Sequence, residues 1–539
     1  MINFSSLLQE TVGSPFPESV IDGIMSCDID GVGKNIPQIL RGEPHPDMNY
    51  FSSILISLFV TLTAGAVDYH VDAERGDDEA GGRDPGHAWR TLEKANSVEL
   101  GPGDRLLFKA GSRWTGQLKP KGNGTKVAPV KIGKYGEGAL PRFDGEGEVS
   151  DTILLENFAF VEISDLEVTN LGKTTAPWRT GVRVSGEGAG KLESIQLRRL
   201  FVHDVNGDLR KSHEGCGIFF EAKGRNRTHF DGLLIEGCRV ERCDRNGICQ
   251  RGTSRVRSRN VIIRGNQLKD IGGDGIKLWG TNGGLIEKNV VRGARARCTA
   301  DEAAAGIWPF ACDDTVIQFN EVSGTVGTRD GQAFDSDYQS RRTTIQYNYS
   351  FRNEGGFILI CSPGNSFNED TVIRYNISVH DGINSARVFH FGGGPRGTHI
   401  YHNTIVIGPE QQLPMLSYTE WNQGWAGESL FSNNLFIVQE GGAVSYEFGK
   451  SQGNVFHSNL FLGRHEGLPP GCEALPLPPG ANAIKPEAGL ESLKRFRSLQ
   501  GEQAPRGKNI KDHGGRDFFG NPVPPGEPPV LGAVQSVGR

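Results

Sequence analysis

The sequence predicts an all-β solenoid of stacked parallel coils, and three observations carry that prediction. A motif of the form apolar-x-x-Asn-x-apolar returns eight times between residues 262 and 461. Gly, at 74 of 539 residues, is well above the average usage of about 7 per cent, while 36 per cent hydrophobic content is low for large globular cores. The apolar residues come in short runs without the 3.6-residue spacing of an amphipathic helix, so the repeat unit is built of strands and tight turns around a thin core.

Residues 1–47 show neither a helical nor a strand period and read as an upstream extension outside the mature protein. Met48 opens "MNYFSSILISLFVTLTAGAVDYHV", in which the apolar block 54–62 and the small residues Ala64, Gly65 and Ala66 read as a signal peptide over 48–66. A buried or anchoring segment is the alternative, because no Lys or Arg precedes the block. The mature protein is then expected to be secreted, periplasmic or on the cell surface. The block falls short of the roughly 20 residues that cross a bilayer, so no integral membrane span is expected in the mature chain. Eight cysteines follow Val67, an even number compatible with disulfides, although small buried side chains are the commoner role. The formal charge is −6 and no long basic run occurs, so nothing marks a nucleic-acid partner.

Residues 67–130 are expected to form the N-terminal cap and first coils, and 131–462 the solenoid proper. The motif places Asn266, Asn289, Asn320, Asn348, Asn376, Asn403, Asn434 and Asn459 at spacings of 23 to 31 residues, a period typical of solenoids. Stacking one coil on the next brings these amides into a column, where each donates to and accepts from its neighbour and none is left buried without a partner. Leu166, Leu200 and Cys238 hold the same phase upstream, so the column starts apolar. Asn348 and Asn376 also head N-x-S sequons, and Asn123 and Asn226 head N-x-T sequons; the ladder makes glycosylation of the first pair unfavourable. Residues 463–539, with "LPPG" and "LPLPPG", are expected to be an irregular segment before a closing strand near "FFGNP".

This pattern, with "YHVDAERGDDEAGG", "HAWRTLEKAN" and "LGPGDRLLFKAGSRWTGQL" before it and "FFGNPVPPGEPPVLGAV" after it, resembles the secreted right-handed parallel β-helix family of pectin lyase-like fold. The resemblance covers about 67–535 and implies a single-stranded right-handed parallel β-helix with a short N-terminal helical cap at Thr91 to Asn96. A cap is what an open solenoid end requires. The family includes polysaccharide lyases, glycoside hydrolases and epimerases, so the fold leaves the activity open.

Aligning the strands "GIFFEA", "GICQRG", "GIKLWG", "GIWPFA", "QAFDSD", "GFILIC" and "RVFHFG" gives an apolar second column of Ile218, Ile248, Ile276, Ile307, Ala333, Phe357 and Val388. If that column faces inward, strand alternation turns the third and fifth columns out. These contain Phe219, Cys249, Lys277, Trp308, Phe334, Ile358 and Phe389, then Glu221, Arg251, Trp279, Phe310, Ser336, Ile360 and Phe391. Glu221, Trp279, Trp308 and Phe310 then form a platform for sugar rings, with His390 two coils beyond Asp335, about 10 Å away at the usual strand spacing. The opposite parity would put the aromatics inside the coils.

Asp335 and Asp337 stand out in a row that is otherwise apolar. Asp335 falls in the fourth column and points inward unless a bulge swings it round. The pair is chemically suited to a glycosidic bond, to Ca²⁺, or to capping a turn. Asp274 and Asp330, each before a Gly, read as ordinary turn residues. The leading expectation is a secreted polysaccharide-degrading enzyme of glycoside hydrolase type, using Asp335 and Asp337. A lyase using Lys277 and Arg251, with Ca²⁺ as the one cofactor to consider, and a non-catalytic glycan-binding surface protein are the alternatives. The partner in each case is a polysaccharide or oligosaccharide.

Overall fold

The computed structural model describes residues 65–535 apart from 225–227, 254, 299–301, 385, 490–492, 494–495 and 497–504. The upstream extension, most of the signal segment and Asn226 lie outside the described residues. The chain winds into three sheets of 16, 14 and 11 strands, here called A, B and C, in which strands from successive coils pair in parallel. Strand Asp68–Val71 already belongs to sheet A, so the solenoid begins at the first described strand. A helix, α1, spans Leu92–Ser97; Thr91 caps it by accepting from the Lys94 N–H at 3.1 Å, and it buries Leu92 and Ala95 in the core.

The interior is a continuous column of apolar side chains contributed by all three sheets. From sheet C it takes Ile218, Ile248, Ile276, Ile307, Phe334, Ile358 and Phe389, all fully buried. At the corner between sheets A and B, the eight Asn side chains make the expected ladder. From Asn266 to Asn434, each Nδ2 donates to the Oδ1 of the next at 2.9 to 3.0 Å and also to a strand carbonyl. The column opens where the Cys238 N–H donates to Asn266 Oδ1. The residue before each ladder Asn is left-handed, with φ from 51° to 64°, and only the first is Gly. Bulky residues such as Tyr347 and Tyr375 are unfavourable there, and the ladder bonds offset the strain.

No disulfide links the described residues, and most of the eight cysteines are buried as small core side chains, the commoner role. Two expectations need correction. The closing strand is Ala474–Leu475, not the "FFGNP" region, which adopts turns and an isolated bridge. The sequence alignment of sheet C slips by one residue from the fifth row onward. Ile307 pairs with Phe334, not Ala333, and Phe334 in turn pairs with Ile358. Phe334, Ile358, Ile360, Phe389 and Phe391 therefore fill the core instead of facing outward.

Candidate active site

That one-residue correction settles where Asp335 points. Strand Gln332–Ser336 buries Phe334, and strict alternation then turns Asp335 to the outer face of sheet C, in register with Trp308's row, Leu359 and His390, without any bulge after Phe334. Asp337 follows on the same face. Above them, the loops that precede the sheet C strands rise to make the walls of a cleft.

The cleft has two halves of about 310 Å³ each, joined where Lys211, Trp308, Asp337 and Tyr338 line both. The aromatic half adds Trp178, Trp279 and Phe310 with Arg251, Lys277 and Glu214. Phe310 packs edge-on against both Trp279 and Tyr338, with centroids 5.1 and 4.7 Å apart. The outward parity expected for Lys277, Trp308, Trp279 and Phe310 is therefore what the fold adopts. Trp308 is oriented from behind, its indole N–H donating to Asp274 Oδ1 at 3.0 Å; Asp274 also accepts from the Ala305 N–H and faces Arg245 at 3.6 Å. Asp274 is thus a support for the platform rather than a turn residue.

The acidic half holds Asp330, Asp335 and Asp337, together with Arg329, Cys361 and Trp421. Oxygens of Asp335 and Asp337 and the Cys361 sulfur lie within 4.8 Å of one another. Asp337 accepts from the Tyr338 N–H at 2.8 Å and from Cys361 Sγ at 2.9 Å. Burial is the main reason all three carboxyls are shifted upward: Asp337 reaches about 6, Asp330 rises, and Asp335 rises furthest because Asp337 and Asp330 repel its charge as well. Asp335 is 4% exposed and its Oδ1 has no partner, whereas Asp330 and Asp337 are partly open to the cleft. Two carboxylates and a thiol fit Ca²⁺ poorly, since that ion takes six to eight oxygens.

The remaining expected residues divide. Lys277 is buried and ion-paired with Glu214; burial opposes its charge, but Cys249, Glu214 and Asp274 outweigh that and raise its pKa. It cannot serve as a free base in this arrangement. Arg251 lines the aromatic half, its guanidinium 5.2 Å from the Trp178 ring and 5.8 Å from Trp279. Glu221 does not line the cleft: it is buried between Arg183 and Lys223, at 2.8 and 2.7 Å. His390 sits behind Trp421, its Nε2 2.7 Å from Thr419 Oγ1, and burial, then Arg387, holds the imidazole neutral with a pKa of about 3. Sequence reading missed Lys211, Trp178, Tyr338, Trp421 and Asp330. All five come from loops or strand ends outside the aligned columns; the Asp330-Gly331 pair reads locally as a turn, and Gly331 does turn with φ of 83°.

The model for a right handed beta helix region matches residues 180–461, more than half of the chain. The chain belongs to the right-handed β-helix family. This β-helix protein is similar to lacto-N-biosidase of Bifidobacterium longum, 28% identical over 478 residues that cover 70% of this chain and 29% of that protein. It spans less than a third of that relative's length. Alpha-1,3-galactosidase A of Akkermansia muciniphila is 27% identical over 191 residues, 31% of this chain and 32% of that protein. Among solved structures, the GH136 lacto-N-biosidase from Eubacterium ramulus, as its selenomethionine derivative, superposes with a TM-score of 0.58 at 25% identity, covering 73% of this chain and 68% of that one.

Proposed function

We propose that this β-helix protein is a glycoside hydrolase that acts outside the cytoplasm on an oligosaccharide, in the manner of the lacto-N-biosidases it resembles. One observation carries the reading: three mutually repelling carboxyls meet at the end of an aromatic cleft, two of them open to it. Sugar rings stack on Trp178, Trp279, Trp308 and Tyr338, and the linkage to be cut lies over the acids. Asp337 and Asp330 form the working pair, because both are partly open to the cleft where the linkage lies, and burial raises the pKa of each, Asp337 to about 6. Asp335, beneath them, has its pKa raised by burial first and then by the charges of Asp337 and Asp330, and serves the pair as a supporting neighbour. Elimination is disfavoured because Lys277, the lysine expected as its base, is bound to Glu214.

The test is incubation of the full chain with an aryl lacto-N-bioside and with neutral and uronate polysaccharides, following reducing ends together with ultraviolet absorbance of unsaturated uronate. Reducing ends without absorbance, lost in Asp337→Asn, support hydrolysis. Growth of absorbance overturns it in favour of a lyase, and silence on the whole panel with glycan binding retained favours the adhesive alternative.

A further inference from the structure

Arg251 is a cation in the aromatic half with which no acid among the described residues forms an ion pair. Its cross-strand neighbour Glu221 is committed to Arg183 and Lys223, at 2.8 and 2.7 Å. Of the two acids that line this half, Glu214 is bound by Lys277, and Asp337, at its far end, accepts from the Tyr338 N–H and Cys361 Sγ. Among the described residues the guanidinium has cation–π contacts with Trp178 and Trp279 and no ion pair. Trp178 itself is held in a left-handed conformation, φ 60°, and its carbonyl accepts from Arg183 at 2.9 Å, so the scaffold fixes the backbone that carries this ring. Lys211, on the shared wall, adds a second positive charge 5.3 Å from the Trp308 ring. An arginine held over indole rings keeps its N–H fork available for bidentate contact with oxyanions such as carboxylate and sulfate, and the low-dielectric aromatic walls strengthen that contact.

We infer that the aromatic half of the cleft is a subsite for an anionic sugar, a uronate or a sulfated residue, with Arg251 as its specificity-determining contact. The inference rests on the hydrolase reading for where the cut occurs but not for the binding itself. The acidic half excludes the same anion by repulsion, so the substrate lies with its charged ring on Trp178 and Trp279 and its scissile linkage toward Asp337.

The test compares kcat/KM for an aryl lacto-N-bioside, its sulfate ester, and the form whose terminal hexose is oxidised to a uronate. The expected result is a preference of at least about tenfold for one or both acidic forms, abolished in Arg251→Met, partly kept in Arg251→Lys, and weakened by salt as screened charges require. Preference for sulfate alone, or for uronate alone, decides which anion the site takes. Preference for the neutral form, or an acidic-to-neutral ratio unchanged in Arg251→Met, overturns the inference. If none of the three is cleaved, the hydrolase reading fails by itself; calorimetric titration of the wild-type chain and Arg251→Met with glucuronate and with the sulfated disaccharide then decides, Arg251-dependent binding supporting the subsite and equal or absent binding overturning it.

Discussion

Asp337 is the residue on which the two halves of the cleft meet, and its chemistry follows from where the strand puts it. Asp337→Asn and Asp330→Asn should each lower kcat on the order of 10³-fold, within the span of a lost acid–base group, while Asp335→Asn, which keeps the side chain's size at a buried position beneath the pair, should stay within about tenfold of wild type. A large loss in Asp335→Asn with a small one in Asp330→Asn would return the working pair to Asp335 and Asp337. Because the acids titrate together, the activity profile reports the group rather than one residue. Activity should fall as pH rises through about 6, where Asp337 loses its proton, and a rate profile flat across that window would contradict the assignment. Trp279, Trp308, Phe310 and Asp337 were legible in the sequence because their types are unusual on a solvent-facing row, whereas Trp178, Tyr338 and Trp421 lie outside the aligned columns. Asp330 was not, since a short-range turn signal looks the same whether the loop lies in solvent or folds over a neighbouring acid.

At the scale of the element, the Asn ladder converts a strained corner into a repeated one. Asn348→Leu leaves the Asn320 backbone N–H and side-chain amide without their shared acceptor, and should destabilise the fold by about 3 kcal/mol in denaturant unfolding, as a buried unsatisfied group does. Asn459→Leu at the partly exposed end of the column should cost clearly less, and equal losses would mean that the ladder is not the source. Sheet B holds a second, shorter ladder in which Asp381 accepts from Asn353 at 2.8 Å and from the hydroxyls of Ser350 and Ser378. Burial outweighs these bonds and raises Asp381 from 3.8 to about 6. The folded state therefore binds more protons than the unfolded chain between those values, so stability contributed by the protonated form is present at low pH and lost as pH rises to about 6. Asp381→Asn should raise the thermal midpoint at pH well above 6 relative to wild type and do so much less near pH 4. A shift of the same size at both pH values would show that packing, not titration, is responsible.

At the scale of the whole molecule, the C-terminal segment covers what would otherwise be an exposed apolar face of sheet B. Ile377, Val379, Val406, Leu435 and Ile437 are buried against Ala481, Ile484, Leu493, Phe496, Phe518 and Val534. Removing residues 476–539 should leave the coils formed but aggregation-prone, seen as growth in light scattering at unchanged far-ultraviolet circular dichroism; a monodisperse product would mean the face tolerates water. Several features were determined by sequence alone. The stack of coils, the amide column and the outward Trp279, Trp308 and Phe310 follow from a local period repeated many times, and repetition averages out local error; the helical cap came from the family resemblance. Tertiary structure decided the rest. A strand's side chains alternate with a period of two, so the one-residue offset between Ile307 and Phe334 reversed the facing of Asp335 and of every later row. Arg183 beside Glu221, Glu214 beside Lys277 and the loop that carries Asp330 over the acids are separated from them by whole coils or lie in unaligned turns, and only the closed solenoid brings those charges within reach of one another.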